Sequence, residues 1–172
     1  MATKREIMDL PMTSVEKGAP VHFKNPPAAF YDAIGGEEGM KALMYDFYDK
    51  IYESNIAHFF PQEEEAFEEI KAKNTRFFVQ LCGGPKVYED ESRGMELNEY
   101  MIRLHDDFSV TEGARTEWLG TMREALADKA QHVDIELIKA FWGYLENFSK
   151  LTVNTFVDGS TYYAAYTQAK ED

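Results

Sequence analysis

The chain has 172 residues, 44% of them hydrophobic and 14% aromatic, which is enough for one domain with a core rich in aromatic rings. Its formal net charge of −13 disfavours nucleic acid and anionic membrane surfaces as partners, because both attract basic proteins. The single cysteine, Cys82, excludes an internal disulfide and fits a reducing compartment.

The two ends of the chain differ in composition from its middle. Four of the six prolines stand in the first 27 residues, so we expect an irregular extension over residues 1–28 before a domain at residues 29–155. A polar, tyrosine-rich tail follows at residues 156–172. The start lacks an apolar signal-peptide core, and no apolar run reaches about 18 residues, the length that crosses a membrane. The prediction is a cytoplasmic protein without a membrane span.

The first half of the domain shows two helical patterns. One begins near Glu37 and carries two neighbouring apolar stripes, formed by Leu43, Phe47 and Ile51 and by Met44, Tyr48 and Tyr52. The other follows Pro61 and an acidic run, which favours a helix N-terminus, and it ends at Gly83 and Gly84.

The second half continues the helical pattern. A short segment over residues 98–105 precedes Thr111, a residue that suits the N-terminal cap of a helix through Trp118 and Leu126. The last long helix starts near Val133, with apolar residues at intervals of three and four, and extends toward residue 153. Because no segment shows strand alternation, the sequence predicts an all-α fold.

Several catalytic motifs are absent from the sequence. It contains no His-Glu-x-x-His, no Gly-x-x-x-x-Gly-Lys and no Gly-x-Ser-x-Gly, which argues against zinc protease, phosphate-loop and α/β-hydrolase sites. The pairs Gly35-Gly36 and Gly83-Gly84 lie between predicted helices and indicate helix ends. The acidic stretch over residues 63–69 has the spacing of a solvated helix face and not of a calcium loop.

The four histidines are the candidate metal ligands. We expect His22, His58 and His132 at the surface or at helix caps, because each lies in an extension, a corner or a helix start. His105 ends the short segment before Phe108. A lone histidine at a helix end is more often structural or exposed than a ligand, so its own surroundings do not establish a metal site.

A set of short motifs, taken in chain order, is more specific than any single residue. The set comprises FYDAIGG at 30–36, Phe47-Tyr48, Phe60-Pro61, FFVQLCGGP at 77–85 with Tyr88 and Arg93-Gly94, Arg103-Leu104-His105, Phe108-Ser109-Val110, and Trp118-Leu119 with Met122. In this order the motifs resemble the truncated globins over about residues 30–154, and specifically the group II members of plants and other eukaryotes.

This resemblance implies a two-over-two sandwich of helices that binds one b-type haem. It makes His105 the iron ligand, after a short or unwound segment, and the lack of a Cys-x-x-Cys-His motif excludes covalent c-type attachment. A neutral imidazole ligates iron when its other N–H is held by an acceptor, for which a main-chain carbonyl suits better than Asp106 or Asp107. The expected cofactor-binding residues are Tyr48, Phe60, Lys73, Asn74, Phe77, Tyr88, Arg103, His105 and Trp118.

The family pattern also implies roles on the ligand side. Tyr48 and Trp118 donate hydrogen bonds to the ligand there. Related sequences often carry glutamine where this chain has Asn74, so the shorter side chain is expected either to reach the ligand or to hold Tyr48 or a bridging water instead. Ile70 stands at the usual gate position, where it would hinder ligand entry, and no second distal histidine accompanies it.

The remaining predicted contacts lie around the porphyrin. Phe60 is expected to pack against its face. Lys73 and Arg103 are candidates for pairing with the haem propionates, because a cation at the pocket rim favours these carboxylates; an exposed position is the alternative for each.

These donors bear on the choice among globin functions. If each contributes about 1–3 kcal/mol in a dry pocket, oxygen release slows by several decades, which favours redox chemistry or sensing over bulk oxygen transport. Oxygen, nitric oxide and other diatomic molecules are the expected partners, and nitric oxide dioxygenase and peroxidase-like reactions are the candidate activities. An external reductase would serve them, since no flavin or nicotinamide motif is present. The alternative is a globin-derived signalling or interaction module that senses through haem or lacks it.

Overall fold

The computed structural model describes residues 1–164, and over them the fold is all-α, as the sequence predicts. In chain order the helices are α1 (Lys4–Met8), α2 (Ala28–Ile34), α3 (Gly36–Tyr52), α4 (Glu64–Leu81), α5 (Glu89–Ser92), α6 (Leu97–His105), α7 (Glu112–Lys129) and α8 (Ile135–Phe148). Two 3₁₀ turns, Ala57–Phe59 and Ser149–Thr152, add to them. Within residues 1–164 the β pairing consists of one isolated bridge between Thr155 and Thr161.

The core forms where α3 packs against both α4 and α7. The stripe of Leu43, Phe47 and Ile51 is fully buried there, which explains why α3 forms: its helical period places these side chains on one face. The short α2 joins α3 to α8, and the rings of Phe30 and Phe141 stack with their centroids 4.3 Å apart. Part of the high aromatic content of the sequence therefore packs between helices.

Local signals in the sequence fix several helix ends. The Thr111 hydroxyl accepts a hydrogen bond from the Ala114 N–H at 3.1 Å, so the predicted cap of α7 is confirmed. Gly83 adopts φ +95°, a left-handed conformation that suits glycine and terminates α4. Helix α8 ends at Phe148, earlier than the predicted continuation toward residue 153, because the chain tightens there into the 3₁₀ turn Ser149–Thr152.

The N-terminal segment differs from the predicted irregular extension. Helix α1 forms within it, and a capping box stabilises its N-terminus. The Thr3 hydroxyl accepts from the Glu6 backbone N–H, and the Glu6 carboxylate accepts from the Thr3 backbone N–H. This helix contacts both α7 and α8, and Ile7, Leu10 and Phe23 are buried. The apolar side chains of the segment thus complete the core despite its many prolines.

Two further observations concern individual segments. Tyr52, the last residue of the second apolar stripe of α3, lies at the helix end with 46% of its surface exposed and packs its ring edge against Phe67, whereas Met44 and Tyr48 of the same stripe are buried. Of the two forms expected for the segment before His105, short or unwound, the structure has the short one, the nine-residue helix α6. Among the helices of residues 1–164, none combines the length and apolarity needed to cross a membrane.

Candidate haem-binding cavity

A cavity bounded by α3, α4, α6, α7 and α8 is the candidate site. Its lining is mainly apolar and aromatic, with a few polar side chains. A concave, largely apolar lining with few polar groups is typical of sites that bind small molecules and cofactors. Six of the predicted residues line it: Tyr48, Phe60, Asn74, Phe77, His105 and Trp118.

His105 is the last residue of α6 and presents a metal-ligating nitrogen to the cavity. Its Nδ1 lies 2.8 Å from the carbonyl oxygen of Met101, one helical turn earlier. A carbonyl only accepts, so Nδ1 must carry the proton and Nε2 keeps its lone pair. Burial lowers the pKa of the imidazole, which favours this neutral form. The expected main-chain acceptor is therefore confirmed, and Nε2 is available to a metal ion.

Tyr48 and Asn74 form the polar pair of the cavity. The Asn74 amide donates to the Tyr48 hydroxyl at 2.7 Å, which is one of the alternatives that the sequence left open for this residue. Burial raises the pKa of Tyr48 well above its ordinary value, outweighing the opposite effect of the Asn74 hydrogen bond, so the phenol stays protonated. Because Tyr48 accepts from Asn74, its own O–H remains available as a donor.

Trp118 and Phe60 add an indole ring and a phenyl ring to the cavity wall. Trp118 lies partly buried on α7 with its ring edge against Phe47, 5.0 Å between centroids. Within residues 1–164 its indole N–H meets no protein acceptor, which leaves a second donor in the lining. Phe60 follows the 3₁₀ turn Ala57–Phe59 and sets its ring edge against Tyr48 at 5.7 Å.

Three predicted site residues lie outside the cavity lining. Arg103 is exposed and its guanidinium binds the Glu99 carboxylate one turn earlier on α6. Lys73 is partly exposed, and the described part of the chain places no carboxylate within 4.0 Å of its ammonium group. Tyr88 is fully buried behind Phe77, with ring centroids 5.4 Å apart. Its hydroxyl finds no hydrogen-bond partner within residues 1–164, which is costly for a buried polar atom.

The remaining residues singled out by the sequence take no part in the lining. Ile70, at the expected gate position, is partly buried on α4. His22, His58 and His132 are exposed, as their surroundings predict. Of the four histidines, only His105 therefore meets the cavity.

Sequence reasoning missed part of the cavity wall. The missed aromatic residues are Phe59, Phe78, Phe108, Tyr144 and Phe148. Phe148 and Leu145 belong to the apolar period of α8, so their burial was predictable, but periodicity does not tell which buried face borders a cavity.

Arg115 is the missed charged residue of the lining, and it is held in place by a buried network. Its side chain is wholly buried; Nη2 lies 3.2 Å from the Glu146 carboxylate and Nη1 lies 3.0 Å from the carbonyl of Thr13. The same Glu146 carboxylate accepts from the backbone and the hydroxyl of Thr13, both at 2.6 Å. The network thereby fastens the N-terminal segment to the cavity wall.

The donor set fits haem. Within residues 1–164 no group of three or more His, Cys, Asp or Glu side chains converges, so a metal ion at His105 would need most of its ligands from elsewhere. A porphyrin supplies four nitrogens and a flat apolar ring, which matches the aromatic walls and the single free imidazole. The fold and the cavity thus define a helical protein built to enclose a flat, metal-bearing group.

Comparisons with known proteins point in the same direction. A family model described as bacterial-like globin matches residues 29–154. The group 2 truncated hemoglobin YjbI of Bacillus subtilis is 29% identical over 128 residues, covering 72% of this chain and 87% of that protein. A group 1 truncated hemoglobin of Tetrahymena pyriformis is 31% identical over 98 residues, covering 54% and 76%.

Solved structures share the fold as well as the sequence pattern. The crystal structure of phosphate-bound Hell's gate globin IV has a TM-score of 0.70 and 26% identity, covering 84% of this chain and 89% of that chain. The X-ray structure of truncated oxygen-avid haemoglobin from Bacillus subtilis has a TM-score of 0.62 and 26% identity, covering 73% and 98%. The chain belongs to the bacterial-like globin family and is a truncated haemoglobin with the two-over-two helical fold. Membership in this family makes it a haem-binding globin.

Proposed function

We propose that the chain binds haem b through His105 Nε2 and ligates oxygen tightly, as a group II truncated haemoglobin. The observation that carries the proposal is the hydrogen bond from His105 Nδ1 to the Met101 carbonyl, which leaves a neutral, oriented imidazole at an aromatic cavity. When bound, the haem supplies an iron centre for reversible ligation and redox chemistry of diatomic molecules.

Two donors of this chain give the preference for oxygen. Tyr48 O–H and the Trp118 indole N–H both belong to the cavity lining, and Asn74 holds the Tyr48 hydroxyl by donating to it. A polarised diatomic ligand such as oxygen accepts hydrogen bonds, whereas carbon monoxide gains little from them. Two bonds of about 1–3 kcal/mol each in a dry pocket lower the rate of oxygen release by about one to four decades.

Slow release argues for a role other than bulk delivery. The similarity to the oxygen-avid haemoglobin of Bacillus subtilis, a protein described by its own tight oxygen binding, supports this direction. Nitric oxide dioxygenation and peroxidase-like chemistry are the activities that we propose, in the cytoplasm and with an external reductase. In both, the chain's part is to donate from Tyr48 and Trp118 and to exclude water with the aromatic wall of Phe60 and Phe77.

The three predicted residues outside the cavity lining have secondary roles in this proposal. Lys73, without a carboxylate partner in the described chain, is the better candidate for a haem propionate. Arg103 would first have to leave Glu99. Tyr88 has a buried hydroxyl that needs a partner, and it supports the ring of Phe77.

The alternative, a signalling or interaction module, has weaker support. In this alternative the N-terminal segment and the tyrosine-rich tail would contact a partner protein. Ile7, Leu10 and Phe23 of the N-terminal segment are buried within the chain itself. Residues 165–172 of the tail lie outside the described residues. Sensing through haem uses the same His105 site and differs from the main proposal only in the response that ligand binding triggers.

The visible spectrum of the purified protein tests haem ligation. We expect an intense Soret band in the wild type that is lost or displaced in His105→Ala and retained in His58→Ala, a matched control because His58 is exposed. A protein that stays colourless after supplementation with haem would contradict the proposal.

Single-turnover kinetics test the proposed activity. The oxygenated protein is mixed with nitric oxide, and we expect stoichiometric nitrate together with oxidation of the iron. Sustained turnover after addition of a reductase and its electron donor supports the enzymatic role. An oxygen complex that does not react with nitric oxide or peroxide leaves oxygen binding as the function and removes the proposed reactions.

A further inference from the structure

A single buried asparagine at the end of the globin domain holds the loop that follows His105. Asn154 is 2% exposed and lies just after the 3₁₀ turn Ser149–Thr152. Its Nδ2 donates to the carbonyl oxygens of His105 and Phe108, at 3.2 and 2.9 Å. Its Oδ1 accepts from the backbone N–H of Val110 at 3.0 Å. One amide side chain therefore joins both ends of the loop.

The same loop forms part of the cavity wall. Phe108 and Val110 line the cavity together with His105. The backbone of the C-terminal segment reinforces the side-chain contacts, because the N–H groups of Asn154 and Thr155 both donate to the Val110 carbonyl, at 3.0 and 3.1 Å. A contact between residues 49 positions apart thus fixes the end of α6.

We propose that Asn154 is a positioning residue for the iron-ligating imidazole, an inference that rests on the proposed haem ligation by His105. The Met101 carbonyl fixes the rotation of the ring through Nδ1, and Asn154 fixes the backbone from which the ring projects. Ligands of metals are held by such outer contacts, and losing one typically weakens metal binding by about 10- to 100-fold.

The chemistry of the side chain explains why asparagine serves here. The loop offers two carbonyl acceptors and one N–H donor, and a primary amide matches all three at once. An aspartate could still accept from Val110 but would turn a carboxylate oxygen toward the carbonyls of His105 and Phe108. An alanine would leave the carbonyls of His105 and Phe108 and the buried N–H of Val110 without this partner.

Asn154 is itself anchored by the C-terminal segment. Its carbonyl accepts from the Tyr162 N–H at 3.0 Å, and its Oδ1 also accepts from the Thr155 hydroxyl at 2.9 Å. Further along, Lys17 of the N-terminal segment binds the Ser160 hydroxyl at 2.7 Å. Contacts from Lys17 and from Tyr162 therefore support the segment that holds the loop following His105.

The test compares Asn154→Ala and Asn154→Asp with the wild type after haem reconstitution. Two readouts are used, the iron–histidine stretching band of the ferrous protein in resonance Raman spectra and the rate of haem transfer to an acceptor apoglobin. We expect the band to shift and broaden in both variants and haem loss to accelerate by about 10- to 100-fold. The control is Asn147→Ala, which removes a single amide hydrogen bond to the Gly143 carbonyl within α8.

The outcomes separate this inference from the haem proposal. A wild type that takes up no haem contradicts ligation by His105, whatever the variants do. Folded Asn154 variants with the wild-type band and the wild-type rate of haem loss contradict the positioning role. If neither variant folds, Asn154 has a purely structural role and the inference is equally wrong.

Discussion

The side-chain amide of Asn74 donates a hydrogen bond to the hydroxyl of Tyr48 at 2.7 Å, so these two residues of the cavity lining act as a unit. The phenol oxygen accepts this hydrogen bond, so the phenolic O–H can still donate to another group. Burial raises the pKa of Tyr48, which keeps that proton in place throughout the physiological pH range. Asn74 therefore acts by orienting the donor.

Tyr48→Phe should release oxygen faster. The substitution keeps the buried ring and removes only the donor, whose hydrogen bond is worth about 1–3 kcal/mol, so we expect the dissociation rate to rise by about one to two decades. Stopped-flow displacement of oxygen measures the rate. Carbon monoxide dissociation provides the internal control and should change far less; an unchanged oxygen rate would show that Tyr48 is not the donor.

Asn74→Leu should act only through Tyr48. We expect a smaller increase in oxygen dissociation, up to about tenfold, because the phenol keeps its proton but loses its orienting partner. In the Tyr48→Phe background the same substitution should have almost no further effect, which a double-mutant cycle of dissociation rates measures. Additive effects would mean that Asn74 contacts the ligand independently.

The long helices and their caps were accessible from the sequence because their signals are local. Helical periodicity locates α3, and a hydroxyl residue before the apolar run identifies Thr111 as the cap of α7. Helix α1 also had a readable signal, the Thr3–Glu6 capping box, but its five residues are too few for periodicity to show.

The walls of the cavity were less accessible because they depend on contacts between distant segments. The Thr13–Glu146 hydrogen bond joins residues 133 positions apart, and that between Asn154 and His105 joins residues 49 apart. No local pattern encodes such pairs, and Arg115 looks like an ordinary surface charge on α7. The ordered motifs of the family identified His105 and Tyr48 more firmly than their own surroundings did.

Tyr88→Phe should separate protein stability from haem retention. The buried hydroxyl has no partner within residues 1–164, so its removal should leave the apoprotein as stable as the wild type or stabilise it by about 1 kcal/mol in urea unfolding. If the hydroxyl binds the haem, haem transfer to an acceptor globin should be faster. Tyr100→Phe is the control, because Tyr100 is a partly exposed ring neighbour of Tyr88. A less stable apoprotein would mean that the hydroxyl has an acceptor in the protein.

Ile7→Ala tests whether the N-terminal segment belongs to the folded domain. Ile7 is fully buried, and truncating such a side chain costs about 2–5 kcal/mol, so the midpoint of urea unfolding should fall markedly. The neighbouring Met8→Ala, at a position that is 36% exposed, should cost less. Equal and negligible effects of both substitutions would indicate a segment that is detached in solution.

Glu146→Gln tests the network that ties the N-terminal segment to the cavity wall. Burial alone would raise the pKa of this carboxyl group, but the hydrogen bonds from Thr13 and the charges of Lys150 and Arg115 outweigh it, and the net pKa is lowered. Glutamine keeps the size of the side chain but removes the charge. We expect a loss of about 1.5–3 kcal/mol in the free energy of unfolding at pH 7. Glu136→Gln, on the exposed face of α8, is the control.

The pH dependence of that loss follows from the sign of the shift. A carboxyl group whose pKa is lower in the folded state binds fewer protons there, so its contribution is complete above the ordinary glutamate pKa of about 4.3 and disappears as the pH falls through the lowered value. Wild type and Glu146→Gln should therefore converge in stability on acidification. Because Arg115 lines the cavity and binds both Thr13 and Glu146, haem release should accelerate over the same acidic range in the wild type. A stability difference that persists unchanged at low pH would show that the glutamine acts through packing and not through the lost charge.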